Sequence, residues 1–136
     1  MTDKVYDRPL LDKLGVQAGQ RISVVGLDDY AFMDDLQAQK ADVRPRLRAE
    51  SDMIFFAADT AKDLKRLPDL RGYIKPDGAI WVVRRKGAEA GLKEVDVINA
   101  GLAAHMVDNK IASFSDTQAA MRLVIRIKDR PQLNAG

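Results

Sequence analysis

The segment Leu10-Leu-Asp-Lys-Leu-Gly15-Val-Gln-Ala-Gly19-Gln-Arg-Ile22-Ser-Val-Val-Gly26 constrains the fold more than any other stretch of the chain. A short helical run, a glycine-bracketed turn and an apolar strand ending at glycine follow one another without spare residues. Many α/β domains that hold a nucleotide open this way. Such domains continue with a glycine-rich loop, because bare backbone N–H groups must come close to a phosphate or an adenosine. Here the continuation is Leu27-Asp28-Asp29-Tyr30, which puts a leucine and two carboxylates in that place. The architecture is therefore more legible than the activity.

The alternation of strand and helix continues along the chain. Asp7-Arg-Pro9 carries a capping carboxylate and a first-turn proline, and Gly15 a stop, so a lead-in helix is expected over residues 8 to 14. Ile22-Ser-Val-Val25 is the first strand, and Asp28 and Asp29 supply N-terminal acids for a helix carrying Phe32, Met33 and Leu36. Val43 and Leu47 alternate with Arg44, Arg46 and Arg48, but Pro45 limits any strand there to a short one near an edge. Met53-Ile-Phe-Phe-Ala57 reads as a central strand buried on both faces. Thr60 caps a helix with Leu64, Leu67 and Leu70 at helical spacing, interrupted near Pro68. Lys75-Pro-Asp-Gly78 is a turn signal before the strand Ala79-Ile-Trp-Val-Val83. Val95, Ile98, Leu102 and Met106 mark the buried face of a helix from about residue 91 to 106. Two strands close the chain, Lys110 to Phe114 and one in which Leu123, Ile125 and Ile127 alternate with Arg122, Val124 and Arg126. Their short separation makes an antiparallel hairpin, whereas the earlier alternation requires parallel crossovers. The expected product is a three-layer α/β sandwich with a mostly parallel sheet of five or six strands and a reversed last strand.

With 136 residues, one domain is expected over the whole chain, with an ordered core at about residues 8 to 128 and short tails. No apolar run approaches the roughly 20 residues that span a bilayer, and Met1-Thr-Asp-Lys-Val lacks a signal-peptide core. The expected setting is the cytoplasm. The absence of cysteine excludes disulfides, thiolate nucleophiles and zinc fingers, and the single histidine, His105, leaves few metal options, so no metal site is expected. A net charge of +2, from 22 bases against 20 acids spread along the chain, points to neither nucleic acid nor a membrane surface.

The glycine-ended first strand, the turn Ile74-Lys-Pro-Asp-Gly-Ala-Ile-Trp81 and the closing Gly101-Leu-Ala-Ala-His-Met-Val-Asp-Asn-Lys110 resemble Rossmann-like S-adenosylmethionine-dependent methyltransferases over roughly residues 8 to 128. More narrowly, Leu-Leu-Asp-Lys-Leu-Gly-Val, Trp81-Val-Val-Arg-Arg-Lys86 and Val107-Asp-Asn-Lys110 with Asp116 resemble a shortened bacterial group with that fold, the proteins containing the domain of unknown function 3052. The resemblance implies the fold; the group carries no established reaction. The departures are equally informative. Of the Gly-x-Gly-x-Gly loop expected after the first strand only Gly26 stands here, and the interval from Asp28 to Ser51 lacks room for the further strand and helix of a full methyltransferase. The ribose-binding acid has no clear counterpart, Glu50 being the nearest.

Ligands of a parallel α/β sheet bind beyond the carboxyl ends of its strands. That edge should gather Gly26, Asp28 and Asp29, then Asp59 and Thr60, then Arg84, Arg85 and Lys86. Gly26, Asp28, Asp29 and Asp59 are the candidates for binding S-adenosylmethionine, Asp28 and Asp29 by hydrogen bonds to its ribose or amine; the alternative for these two is simple helix capping. Arg84, Arg85 and Lys86 are candidates for an anion or phosphate clamp, against the alternative of surface pairing with acids such as Asp59. His105 at a helix end has no partner for catalysis, Asp108 and Lys110 read as a turn ion pair, Trp81 as core, and Arg44, Arg46 and Arg48 as a basic stripe that protects an edge. No catalytic residue is assigned. The leading expectation is a non-catalytic methyltransferase-like binding or interaction module that needs no cofactor. A minimal S-adenosylmethionine-binding methyltransferase and an anion- or nucleic-acid-binding regulatory module are the alternatives. No partner is named beyond self-association through an edge strand near residues 122 to 127.

Overall fold

The computed structural model describes residues 8–87 and 90–130. Asp7 and both chain ends lie outside them. In order, the elements are α1 (Arg8–Leu14), β1 (Arg21–Val25), α2 (Tyr30–Ala38), β2 (Asp42–Arg44), β3 (Ser51–Ala57), α3 (Ala61–Leu64), α4 (Leu67–Arg71), β4 (Ile74–Arg85), α5 (Glu94–Ala103), β5 (Val107–Ser113) and β6 (Gln118–Val124), with a 3-10 turn at Ile127–Asp129. They build one six-stranded sheet in the order β2-β1-β3-β4-β6-β5. The first four strands run parallel, and β6 pairs antiparallel with both β4 and β5.

Strand periodicity divides the apolar side chains between the two faces. Ile22, Val24, Phe55, Trp81 and Phe114 meet α1 and α2 on one side, and Ile54, Phe56, Ile80, Val82 and Leu123 meet α3, α4 and α5 on the other. Each such side chain withdrawn from water contributes roughly 1.5–3 kcal/mol. Phe32 of α2 sets its ring edge-on to Phe55 at 5.0 Å and to Phe114 at 4.8 Å, which anchors the helix over the sheet. Trp81 is fully buried and donates its indole N–H to the carbonyl of Leu14 at 3.2 Å, tying the central strand to the end of α1. Gly15, at φ +79°, then ends that helix as expected.

Five expectations need correction. Lys75-Pro-Asp-Gly78 is no turn: β4 runs through it, and the register jumps from Ser51 opposite Ile74 to Met53 opposite Ala79, so these residues bulge out of the ladder. Pro76 lacks the N–H that a regular ladder would use, and a Cβ on Gly78 would stand 3.0 Å from the Asp52 carbonyl. Val97 and Gly101 of α5 are buried, with Ala104 just past its end; Ile98 and Met106 pack inward as expected, while Val95 and Leu102 are exposed. Gly101 causes the rotation, since a Cβ there would lie 3.0 Å from Leu123 Cδ2 and the bare Cα lets the helix settle onto β6. The last strand starts earlier than its apolar alternation indicates, and Ile127 is 80% exposed beyond its end. β6 is not an edge; the outermost strands are β5 and β2. Finally, Arg44, Arg46 and Arg48 form no stripe, because the chain turns after Arg44 and Arg48 folds inward.

That inward turn closes the short connection between β2 and β3. The Arg48 guanidinium donates to the carbonyls of Asp42 (2.6 Å) and Ile22 (3.1 Å) and to the Asp42 carboxylate (3.1 Å), which lowers the pKa of Asp42. Its backbone N–H reaches Ser23 Oγ at 3.0 Å, and the Ser23 and Ser51 hydroxyls pair at 2.8 Å in the interior. Leu47, like Val25, packs against the core on the α3–α5 side of the sheet. The six-residue connection thus adds one apolar side chain, Leu47, to that side of the core.

Candidate functional site

The carboxyl ends of β1, β3 and β4 lie side by side, so the residues after them form the edge at which a ligand is expected. Gly26 follows β1 at φ +74°, a conformation that favours glycine, and a Cβ on it would lie 3.6 Å from the carbonyl of Ala57, the last residue of β3. Leu27 turns back onto the α1–α2 core. Asp29 caps α2: its carboxylate accepts the Phe32 N–H at 3.0 Å. Asp28 stays exposed. Leu27, Asp28, Asp29, Tyr30, Met33 and Asp34 line a cavity of about 230 Å³ that Pro45 helps to close. Pockets for drug-sized or cofactor-sized molecules run from about 300 Å³ upward.

After β3 the chain turns sharply into α3. Thr60 and Asp63 form a reciprocal capping box, and the Asp63 carboxylate accepts the N–H groups of Asp59 (2.9 Å) and Thr60 (3.1 Å). These bonds, Asp59 first, hold its pKa below the ordinary aspartate value. The Asp59 carboxylate faces Arg85 Nε at 3.6 Å, with both side chains more than half exposed, a geometry worth little to stability. Gly91 crosses so close over this loop that a Cβ would stand 2.5 Å from the Asp59 carbonyl.

The three consecutive cations after Trp81 do not converge. Arg84 donates to the carbonyls of Leu92 and Arg85, both at 3.1 Å, Arg85 meets Asp59, and Lys86 reaches Ser113 Oγ at 2.8 Å. The structure therefore brings Asp59 and Arg85 together and directs Arg84 and Lys86 to separate neighbours. Nor do Asp108 and Lys110 pair, since the Lys110 ammonium donates to the Lys13 carbonyl at 2.6 Å. His105 is exposed just past α5. Among the described residues no group of three or more histidines and acids could hold a metal ion, and no helix is long and apolar enough to cross a membrane.

Sequence reasoning missed the opposite rim of the sheet, where Lys13, Asp77, Lys110 and Arg122 line a polar cavity of about 400 Å³. These residues come from α1, β4, β5 and β6, so no local spacing announces them.

No family model matches the sequence, and no curated protein matches it. Solved structures share the fold. A SAM-dependent methyltransferase from Aquifex aeolicus is 13% identical, with 86% of this chain covering 88% of that one at a TM-score of 0.63. A TehB-like SAM-dependent methyltransferase from Corynebacterium glutamicum is also 13% identical, with 85% of each chain covered and a TM-score of 0.66. Magnesium protoporphyrin IX methyltransferase from Synechocystis, solved with bound SAM, is 9% identical, with 86% and 75% covered and a TM-score of 0.58. At these identities the likeness is one of fold: a Rossmann-like, methyltransferase-like sheet with an antiparallel end.

Proposed function

We propose that this chain is a methyltransferase-like binding module that does not transfer methyl groups. The reading is supported chiefly by the loop after β1, where the residues that stand in place of a glycine-rich loop serve folding. Leu27 packs into the core and Asp29 is engaged as a helix cap. The neighbouring cavity of about 230 Å³ is small for S-adenosylmethionine and lined by three carboxylates, Asp28, Asp29 and Asp34. Gly91, pressed against the Asp59 carbonyl, restricts the loop that would otherwise flank an adenosine. These residues fit the cofactor poorly.

The same proposal places the chain with the bacterial proteins containing the domain of unknown function 3052, on the motifs Leu10 to Val16, Trp81 to Lys86 and Val107 to Lys110. A reducing cytoplasm is the setting that suits a chain without cysteine.

Thermal unfolding with and without S-adenosylhomocysteine, with adenosine nucleotides as controls, tests the reading. A ligand at 100 times its dissociation constant adds about 2.7 kcal/mol, several degrees for a domain of this size. No shift is expected. A selective shift with S-adenosylhomocysteine that is lost in Asp59→Ala would overturn the proposal in favour of a cofactor-binding enzyme.

A further inference from the structure

The cavity of about 400 Å³ at the amino-terminal rim of the sheet lies away from the edge formed by the carboxyl ends of β1, β3 and β4. Arg122 sits on β6 directly between Trp81 of β4 and Lys110 of β5, so the three side chains share one face. Its guanidinium is half-buried and forms no hydrogen bond or ion pair with any described residue. Lys110 is engaged in capping the carbonyl of Lys13, which leaves the Lys13 ammonium and Arg122 as the cations on the lining without a described partner. Asp52, on the same lining, is already paired with the Lys75 ammonium at 3.0 Å and accepts the Arg21 backbone N–H at 2.8 Å. Gln17, Gln20 and Asn109 supply neutral polar groups, and Asp77 an acceptor for hydroxyls.

We propose that this rim pocket binds a small hydroxylated oxyanion, its charged group seated on Arg122 with Lys13 and its hydroxyls met by Gln20, Asn109 and Asp77. A guanidinium presents a rigid fork of donors that matches a carboxylate or phosphate. A half-buried cation without a counter-charge is also a standing cost, which an arriving anion removes. Desolvation, and then repulsion from Arg130, lowers the pKa of Arg122, so its charged form is held at a disadvantage that the ligand relieves. The pocket is lined chiefly by polar groups, which favours a sugar acid or sugar phosphate over an apolar acid.

Trp81 is the only tryptophan in the chain, and it lines this cavity, so its indole N–H resonance is a single-site reporter. The chain would be titrated with glucose 6-phosphate, with gluconate and with uncharged glucose at constant ionic strength. Displacement of the indole resonance by one or both charged sugars, with none from glucose, is expected, and the stronger of the two names the oxyanion. In Arg122→Gln the affinity should fall about tenfold or more, equivalent to about 1.4 kcal/mol. That variant should also unfold at the same or a higher temperature than the parent without ligand, because it loses an uncompensated charge. Lys13→Gln should weaken binding less, and Arg46→Gln, on the far edge, not at all. Equal responses to glucose and glucose 6-phosphate, no response to either charged sugar, or undiminished affinity in Arg122→Gln would overturn the assignment.

Discussion

The guanidinium of Arg48 lies 2.6 Å from the carbonyl oxygen of Asp42 and 3.1 Å from the carboxylate of the same residue, so one side chain holds both the backbone and the charge of its partner. A third bond, to the Ile22 carbonyl at 3.1 Å, extends the clamp from β2 to β1. Strands β1 and β2 share only three residue pairs, Arg21 with Asp42, Ile22 with Val43 and Ser23 with Arg44. The clamp therefore fastens the weakest seam of the sheet, at the place where a longer fold would continue with another strand.

Removing the clamp should cost stability without changing the fold. In Arg48→Met the apolar stem is kept and the carbonyls of Ile22 and Asp42 lose their donor, a loss of about 2 kcal/mol. Urea unfolding would show a lower midpoint with an unchanged slope. Arg48→Lys should recover only part of it, because an ammonium cannot reproduce the fork. Arg46→Ala, at an exposed neighbouring position, should stay within about 0.5 kcal/mol of the parent.

Asp42 and Asp63 make stability fall in acid. Both have pKa values lowered below the ordinary 3.8, Asp42 mainly by its bond to Arg48 and Asp63 mainly by the Asp59 N–H. A carboxyl whose folded pKa is lowered stabilises the fold fully above its unfolded value and loses that contribution as pH falls through the folded one. The urea midpoint should therefore begin to drop as pH falls toward the ordinary 3.8 and keep dropping through the lowered folded value, and drop less in Asp42→Asn. Identical pH dependence in the parent and that variant would show that the Arg48 contact does not perturb Asp42.

Asp29 separates capping from ligand binding. Asp29→Ala should cost about 1 kcal/mol of stability, and Asp29→Ser should restore most of it, since a hydroxyl accepts the Phe32 N–H as a carboxylate does. Denaturation of the two variants side by side reads this directly. A serine variant as unstable as the alanine variant would mean that the charge of Asp29, rather than its cap, is what the fold uses.

What was legible in the sequence follows from the range of the forces involved. Met53 to Ala57 and Ala79 to Val83 read as buried strands because their apolar runs report burial directly. The caps Asp29 and Thr60 were legible because they act within three residues. Gly101 hid the true buried face of α5, since a glycine adds nothing to hydrophobic periodicity yet allows the closest approach to Leu123. The Lys-Pro-Asp-Gly stretch carries turn chemistry, and only its pairing with β3 shows that it bulges. Arg48 and Arg122 look like surface charges until the sheet is assembled, because their surroundings come from strands far apart in the chain.

His105 ends α5 in a way that costs the protein stability. Its N–H bonds the Leu102 carbonyl at 3.0 Å and that of Met106 bonds the Gly101 carbonyl at 2.8 Å, the paired bonds that close a helix through one left-handed residue. His105 is that residue, at φ +63°. A Cβ in this region costs roughly 1–2 kcal/mol, which glycine avoids while giving back part of the gain as freedom in the unfolded chain. His105→Gly should therefore stabilise the protein by about 0.5–1 kcal/mol, and His105→Ala should not. The side chain is exposed, so neither change disturbs packing. Calorimetric melting of the two variants gives the sign, and a lower melting temperature for His105→Gly would mean that the imidazole itself holds the end of the helix.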